Sequence, residues 1–279
     1  MTSAPAATTA NRNSRPQTDL TVLRREQLSP HMVRIIAGGP GFTGYVNNDY
    51  VDRYVKIAFP QPGIVYPEPL DLWAIRESMP RSQWPHTRTY TVRWVDAAAR
   101  ELAIDFVIHG DEGLAGPWAA SARPGDRLTF TGPGGGYNPD PDSDWYLFAG
   151  DESALPAIGA AIESLPQDAR GLALLEVDSA ADIQPIAAPA GVELRWLPRG
   201  GMAAGDGELL VNAVRDADWP EGRVQVFAHG ERGYMKGLRD VFYVQRGLER
   251  SQVSLSGYWA KGRVEDDFQA EKKLPVGQI

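Results

Sequence analysis

The sequence predicts a two-domain β + α/β protein, an antiparallel six-stranded barrel followed by a parallel-sheet α/β domain of the nucleotide-binding kind. Three observations predict it. The chain has 279 residues, more than one compact core usually holds. Its first half is a series of short alternating apolar runs separated by turn residues, without a long helical pattern. From about residue 145 the period changes, and short apolar runs alternate with helical segments.

Composition narrows the function classes. A net charge of −8 and a pI near 5.1 disfavour nucleic acid and anionic membrane surfaces as partners, so any anionic ligand needs a local basic patch. The chain has no cysteine, which excludes disulfides, thiolate zinc sites and a cysteine-ligated iron–sulfur cluster. Its four histidines, His31, His86, His109 and His229, show no metal-ligand spacing, so no metal site is expected. Residues 1–18 are rich in Ala, Thr, Ser, Asn and Pro and read as a disordered lead-in without the apolar core of a signal peptide. With no apolar run of membrane-spanning length, a cytoplasmic protein without stable membrane insertion is expected, as a monomer.

Runs at 20–24, 32–36, 54–59, 88–95, 102–108 and 127–131 supply the six strands of a barrel domain over 19–137. The Pro-rich connection between Phe59 and His86 carries Trp73 and Trp84 and reads as a packed flap over the barrel. In Arg88-Thr-Tyr-Thr-Val-Arg93, strand alternation puts Arg88 and Tyr90 on one side and Thr91 and Arg93 on the other. A guanidinium suits a pyrophosphate, a phenol ring covers a flat heterocycle, and a hydroxyl reaches a ring nitrogen; together they describe a flavin dinucleotide site. An amphipathic strand with exposed arginines is the plainer reading of the same six residues. After the fifth strand, the glycine-rich 109–119 opens a helical turn whose amides suit a pyrophosphate, or is simply a turn before a packed tryptophan.

The Pro and Asp cluster at 138–144 reads as the linker. Beyond it, runs at 145–149, 172–177, 192–197 and 224–228 are the parallel strands of an α/β domain over 145–263. The first strand runs into Ala149-Gly-Asp-Glu-Ser-Ala-Leu-Pro156, where Asp151 or Ser153 can cap a helix at the carboxyl end of the strand, where open sheets bind ligands. No G-x-G-x-x-G is present. From Ala228 to Arg263 seven basic residues face three acidic ones, a local excess that is either an anion site or a solvated helix face. The tail 264–279 is polar and reads as a short helix or a frayed end.

The blocks at 88–93, 109–119 and 149–158, Gly230-Glu231, and Gly257-Tyr-Trp-x-x-Gly262, in this order and spacing, resemble the siderophore-interacting protein family. The resemblance covers about residues 18–263. It implies a ferredoxin-NADP reductase-like fold, with an FAD-binding β-barrel and an NAD(P)H-binding-like α/β domain. Carried over, Arg88 holds the flavin pyrophosphate, Tyr90 lies against the ring, Thr91 reaches its reactive nitrogen, and Arg93 belongs to the same cofactor set. His109, Gly110, Ala115, Gly116, Trp118 and Ala119 wrap the diphosphate and adenosine side. Asp151, Glu152, Ser153 and Glu231 face the nicotinamide, and Lys56, Lys261 and Arg263 line a basic pocket for the iron chelate. Two departures bear on that pocket: His229 replaces a small residue before Gly-Glu, and Gly134–Gly136 offers no basic side chain.

The activity so implied is an FAD-dependent ferric-siderophore reductase, taking electrons from NAD(P)H or a ferredoxin and releasing ferrous iron in the cytoplasm. The ferric siderophore is then the partner. Two alternatives are a general NAD(P)H flavin or ferric-chelate reductase and a non-catalytic ferric-siderophore binding protein. Asp178, at a strand end, is placed to meet a ribose hydroxyl, with the choice between NADH and NADPH left open.

Overall fold

The computed structural model describes residues 15–110 and 113–279. The strands β1 (Gln17–Ser29), β2 (Met32–Gly38), β3 (Tyr54–Phe59), β4 (His86–Asp96), β5 (Glu101–Val107) and β6 (Arg127–Gly134) close into a barrel in the order β1-β2-β5-β4-β3-β6. Every pairing is antiparallel. Inward-facing Leu20, Val22, Ile35, Ile57, Phe106 and Phe130 fill it, as the alternation of β-branched and aromatic residues dictates. Most of the expected lead-in lies outside the described residues. Its last two positions are strand, because Gln17 and Thr18 pair with Thr131 and Phe130 and so complete the ladder that closes the barrel.

The connection from β3 to β4 is a packed flap. Its helix α1 (Leu72–Ser78) is capped by Asp71, whose carboxylate accepts from the amides of Trp73 and Ala74 at 2.9 Å. Leu70, Leu72 and Ile75 are buried against Trp84, and the Arg76 guanidinium lies over the rings of Trp73 and Trp84 at 4.7 and 5.7 Å. A second short helix, α2 (Ala115–Ser121), follows β5 and closes one end of the barrel.

β7 (Trp145–Gly150), β8 (Arg170–Val177), β9 (Gly191–Pro198), β10 (Val224–Glu231) and β11 (Val253–Trp259) form a parallel sheet in the order β11-β10-β7-β8-β9. Both faces of it are covered, as parallel sheets require. Leu147 and Val226 pack under α4 (Leu209–Arg215) and α5 (Arg232–Arg239), while Phe148 and Phe227 pack under α3 (Leu155–Glu163). β11 is the strand that the sequence did not announce. Val253-Ser-Leu-Ser does alternate, but it stands alone before the Gly-Tyr-Trp stretch at the edge of the sheet, and its register is fixed by β10.

The two domains are joined by buried and charged contacts. Met32 of β2 is buried in the core of the second domain. Asp182, after β8, accepts from Ser29 Oγ at 3.0 Å and from the backbone amide of His31 at 3.1 Å at the β1–β2 turn. Arg93 of β4 makes a bidentate pair with Glu163 at the end of α3, at 2.6 and 2.7 Å. The tail, rather than leading away, folds back as α6 (Glu265–Glu271), anchored by buried Phe268 and by Glu271, which pairs with Arg232 at 2.6 Å and Arg263 at 2.7 Å. None of the described helices is long and apolar enough to cross a membrane.

Candidate functional site

Two adjoining cavities open where the barrel, the α/β sheet and α6 meet, and they share Lys56, Thr89, Glu265 and Gln269. The smaller, about 340 Å³, is walled by Arg88, Tyr90 and Thr91 on the barrel side and by Ser153, Tyr258 and Trp259 on the sheet side. Its size and its two aromatic flanks suit a flat tricyclic ring. The larger, about 780 Å³, runs under the flap and is lined by Lys56, Arg76, Arg81, Trp84, His86 and Lys273, with Glu265 and Asp266 opposite.

Arg88 and Tyr90 face the same cavity, as the strand pattern predicts, and Thr91, which alternation assigns to the other side, reaches the same cavity wall. The Tyr90 ring packs on Phe106 with centroids 4.3 Å apart, and burial raises its phenol pKa. The Arg88 guanidinium donates to the carbonyl of Thr87 at 2.8 Å and lies 3.4 Å from Asp266 on α6. Arg93 does not join them. Thr91 and Val92 are both buried just before a bulge between Val92 and Trp94, while Arg93, on the side opposite Arg88 by alternation, pairs with Glu163 and packs against Gly159. Its position is a clamp between domains.

In the glycine-rich segment, Asp111 and Glu112 lie outside the described residues. Gly110 and Gly113 adopt left-handed backbone, and among the described residues no side chain caps the first turn of α2. Ala115, Trp118 and Ala119 instead pack into the barrel, Trp118 on Phe106 with centroids 5.6 Å apart, and Gly116 lets α2 approach β5. They seat the helix and do not line either cavity. His109 sits beside His31, Glu152, Asp178 and Arg199, and burial lowers its pKa.

Of the four residues expected at the nicotinamide, only Ser153 lines the smaller cavity. Asp151 is buried and accepts from the amide of Glu231 at 2.7 Å, the Trp259 indole at 2.9 Å and the amide of Ser153 at 3.0 Å. One carboxylate thus ties the ends of β7, β10 and β11. A Cβ on Gly230, at φ +150°, would stand 2.7 Å from its Oδ2. Glu231 is spent on capping α5, accepting from the amide of Tyr234 at 3.1 Å and from that of Lys261 at 3.1 Å. Glu152 makes a buried bidentate pair with Arg199, at 2.6 and 2.8 Å. Unpaired buried carboxylates are costly, and a strand-end loop of a compact sheet satisfies them internally; the chain pattern alone does not show which partner each will find.

Lys56 projects toward both cavities, but Lys261 and Arg263 do not gather with it. Lys261 pairs with Asp206, and Arg263 with Glu271. The basic residues that do flank the larger cavity, Arg76, Arg81 and Lys273, lie on the flap and the tail. Sequence reasoning passed over them because they have no motif and reach the cavity only through tertiary packing.

Behind the site lies a buried cluster of Glu152, Glu176 and Arg199 with half-exposed Asp178. Glu176 Oε1 accepts from the Tyr234 hydroxyl at 3.2 Å, while Oε2 has no partner. Burial, reinforced by the charge of Asp151, pushes the Glu176 carboxyl up to about 7. A carboxyl whose folded pKa is raised binds its proton more tightly in the folded state. The stability it adds is therefore present below its ordinary value and is lost as pH rises toward 7. Glu176→Gln keeps an acceptor for Tyr234, and urea unfolding of this variant is expected to show a flatter pH dependence over that interval than the parent.

Two family models cover most of the chain. The siderophore-interacting FAD-binding domain matches residues 21–137, and the siderophore-interacting protein model matches residues 143–262. The ferric vibriobactin reductase of Vibrio cholerae is 31% identical, over 93% of this chain and 95% of its own. An NADPH-dependent ferric-chelate reductase of Escherichia coli is 32% identical over 86% of this chain and 92% of its own. The crystal structure of a siderophore utilization protein from T. fusca superposes with a TM-score of 0.78 at 38% identity, covering 89% of this chain and 94% of that one. The ring-sized cavity and Arg88 at its edge fit FAD as the group the barrel holds. The chain belongs to the siderophore-interacting protein family.

Proposed function

We propose that this FAD-dependent oxidoreductase passes electrons from a pyridine nucleotide, one at a time, to ferric iron held in an anionic siderophore, releasing ferrous iron in the cytoplasm. The observation that carries the reading is the pair of adjoining cavities, one ring-sized and one lined by Lys56, Arg76, Arg81 and Lys273. On an acidic chain that cationic lining supplies the local attraction for an anionic chelate. Bound FAD supplies the redox chemistry, taking electrons in pairs and giving them singly. The chain's own residues would bind and orient it: Arg88 would hold the pyrophosphate, and Tyr90, Tyr258 and Thr91, which line the ring-sized cavity, would hold the ring. The flap with Trp84 and the tail helix α6 wall the larger cavity against water. Asp178, with its side chain 42% exposed beyond β8, is the acid available to a ribose hydroxyl. Arg199 beside it is already paired with Glu152, which leaves no free cation there for a 2′-phosphate and favours NADH. A ferredoxin is the alternative donor, and the working unit is a monomer.

The test is the visible spectrum of the purified protein under anaerobic conditions, before and after NADH or NADPH and then ferric vibriobactin. A flavin band that bleaches with nucleotide and returns with the chelate is the expected result. A band that ignores both nucleotides would assign a ferredoxin donor, and a colourless protein that FAD does not reconstitute would overturn the reading. Lys56→Ala is expected to raise KM for the chelate roughly tenfold with FAD content unchanged, the size of one charge-assisted hydrogen bond. In Arg81→Ala the same split is expected, whereas loss of FAD would reassign the larger cavity to the adenosine arm.

A further inference from the structure

His229 is the one histidine of this chain buried in a strand interior, 4% exposed, and the ferric-reductase reading gives it no task. Both of its ring nitrogens are nonetheless engaged. Nδ1 is 2.9 Å from the Tyr258 hydroxyl, and Nε2 is 3.0 Å from Ser254 Oγ. The Tyr258 side chain itself lines the ring-sized cavity, with Thr91 in the same wall. At the other end, Ser254 is only half-buried, on the edge strand β11. A hydrogen-bonded row therefore runs from the cavity wall to the edge of the sheet: Tyr258, His229, Ser254.

We propose that these three side chains are a proton exit from the flavin cavity, with the His229 imidazole as the link that accepts at one nitrogen and releases at the other. The inference rests on the reductase reading, which creates the need. When two ferric ions each take one electron from a fully reduced, anionic flavin, two Fe(II) are formed and one proton must leave the ring. Tyr90, packed on Phe106, and Trp259, whose indole is tied to Asp151, form aromatic walls of the cavity on its barrel and sheet sides. The row offers the way out. Tyr258 Oη, in the cavity wall, would take up the proton leaving the site as its own hydrogen passes to His229 Nδ1. Nε2 releases its hydrogen to Ser254, and Ser254 releases one to solvent. One proton enters and one leaves, and the imidazole changes tautomer without storing charge.

That concerted form is the one burial permits. The imidazole is pushed down to about 3, first by burial and then by Lys272 on α6, so a long-lived imidazolium is excluded. The phenol of Tyr258 is raised, by burial and by Asp52, Asp151 and Tyr54, so a tyrosinate is excluded as well. Phe227, stacked on the His229 ring with centroids 3.9 Å apart, holds the imidazole in line. A neutral histidine between two hydroxyls has the right chemistry to move a proton and the wrong environment to keep one.

His229→Gln tests this with the hydrogen bonds largely preserved, because its amide accepts from the phenol and donates to Ser254 but has no second ring nitrogen to hand a proton across. The FAD-loaded proteins are reduced anaerobically and mixed rapidly with ferric citrate. Reoxidation is expected to slow by roughly 10²-fold, the usual weight of positioned proton transfer, with proton release now rate-limiting and the solvent deuterium isotope effect at least as large as in the parent. Reduction by NADH brings hydrogen together with its two electrons, so it needs no relay and its rate is expected to stay within about twofold. Equal reoxidation rates in the two proteins overturn the relay and leave the reductase reading standing. A parent that ferric citrate and ferric vibriobactin both fail to reoxidise overturns the reading itself. A readout independent of turnover is the ¹⁵N spectrum of the His229 ring in FAD-free protein. Averaging between the two tautomers, abolished in Tyr258→Phe, supports the relay; a single fixed tautomer in the parent overturns it.

Discussion

Arg88→Ala is expected to purify with little FAD, and to bind added FAD roughly 30- to 700-fold more weakly, the equivalent of about 2–4 kcal/mol for a lost guanidinium–phosphate fork. The side chain stands at the lip of the ring-sized cavity, only 17% exposed, and its sole acidic partner among the described residues is Asp266 at 3.4 Å. Asp266 is 58% exposed on the tail helix, and a pair of that geometry is worth at most about 1 kcal/mol. A pyrophosphate offering two charged oxygens in the plane of the guanidinium therefore displaces it. The companion variant Asp266→Asn separates the two roles. It removes the competitor and is expected to leave FAD affinity equal or higher, with a small loss of stability as α6 loosens. Flavin content is read from the ratio of visible to ultraviolet absorbance, and affinity from fluorescence quenching on titration of the FAD-free protein. Normal FAD content in Arg88→Ala would remove the pyrophosphate assignment, and equal losses in both variants would make Arg88 a strut for the tail.

The sequence carried most of the fold because period is a backbone property. All six barrel strands and four of the five sheet strands were legible as runs of alternating or continuous apolar residues, and the change of period near residue 145 marked where one architecture gives way to the other. What escaped was set by tertiary contacts. β11 is read only through its register on β10, and the return of α6 over the cavities follows from Phe268 and Glu271 finding Arg232. At the site, strand alternation placed Arg88 and Tyr90 together and Arg93 away from them, where it meets α3, but it assigned Thr91 to the far side, whereas Thr91 lines the same cavity. Asp151, Glu152 and Glu231 carry the motif and sit at the strand ends, yet each is consumed by partners far away in sequence. A motif locates a carboxylate; the fold decides whether its charge faces a ligand or a neighbour.

The largest stability effect is expected from Arg199→Met. The guanidinium is 3% exposed and holds Glu152 at 2.6 Å, with Asp178 at 3.3 Å and Glu176 at 3.5 Å. Three carboxylates thus depend on one cation, which their charges and hydrogen bonds raise further above its already high pKa. Methionine fills comparable volume, so the change isolates charge from packing. Removing one partner of a buried pair typically costs about 3–5 kcal/mol, because the remaining charge is stranded away from water. The sign of the pH dependence follows from the same cluster. Without Arg199, the buried Glu176 carboxyl loses the cation that holds its pKa down, so its pKa rises further and the folded variant takes up a proton at low pH and recovers part of the loss. At higher pH it must ionise without that partner, and the deficit grows. Urea unfolding near pH 5.5 and near pH 8 is expected to show the larger destabilisation at the higher pH. The triple variant that also carries Glu152→Gln and Glu176→Gln is expected to regain much of the stability at both. A pH-independent loss would mean that methionine disturbs packing, and no loss would mean that water reaches the cluster and the pair is screened. Because Glu152 lies in the strand-end loop beside Asp151 and Ser153, a collapse here also loosens the sheet wall of the flavin cavity. FAD retention is therefore expected to fall together with the unfolding midpoint, whereas in Arg88→Ala it falls alone.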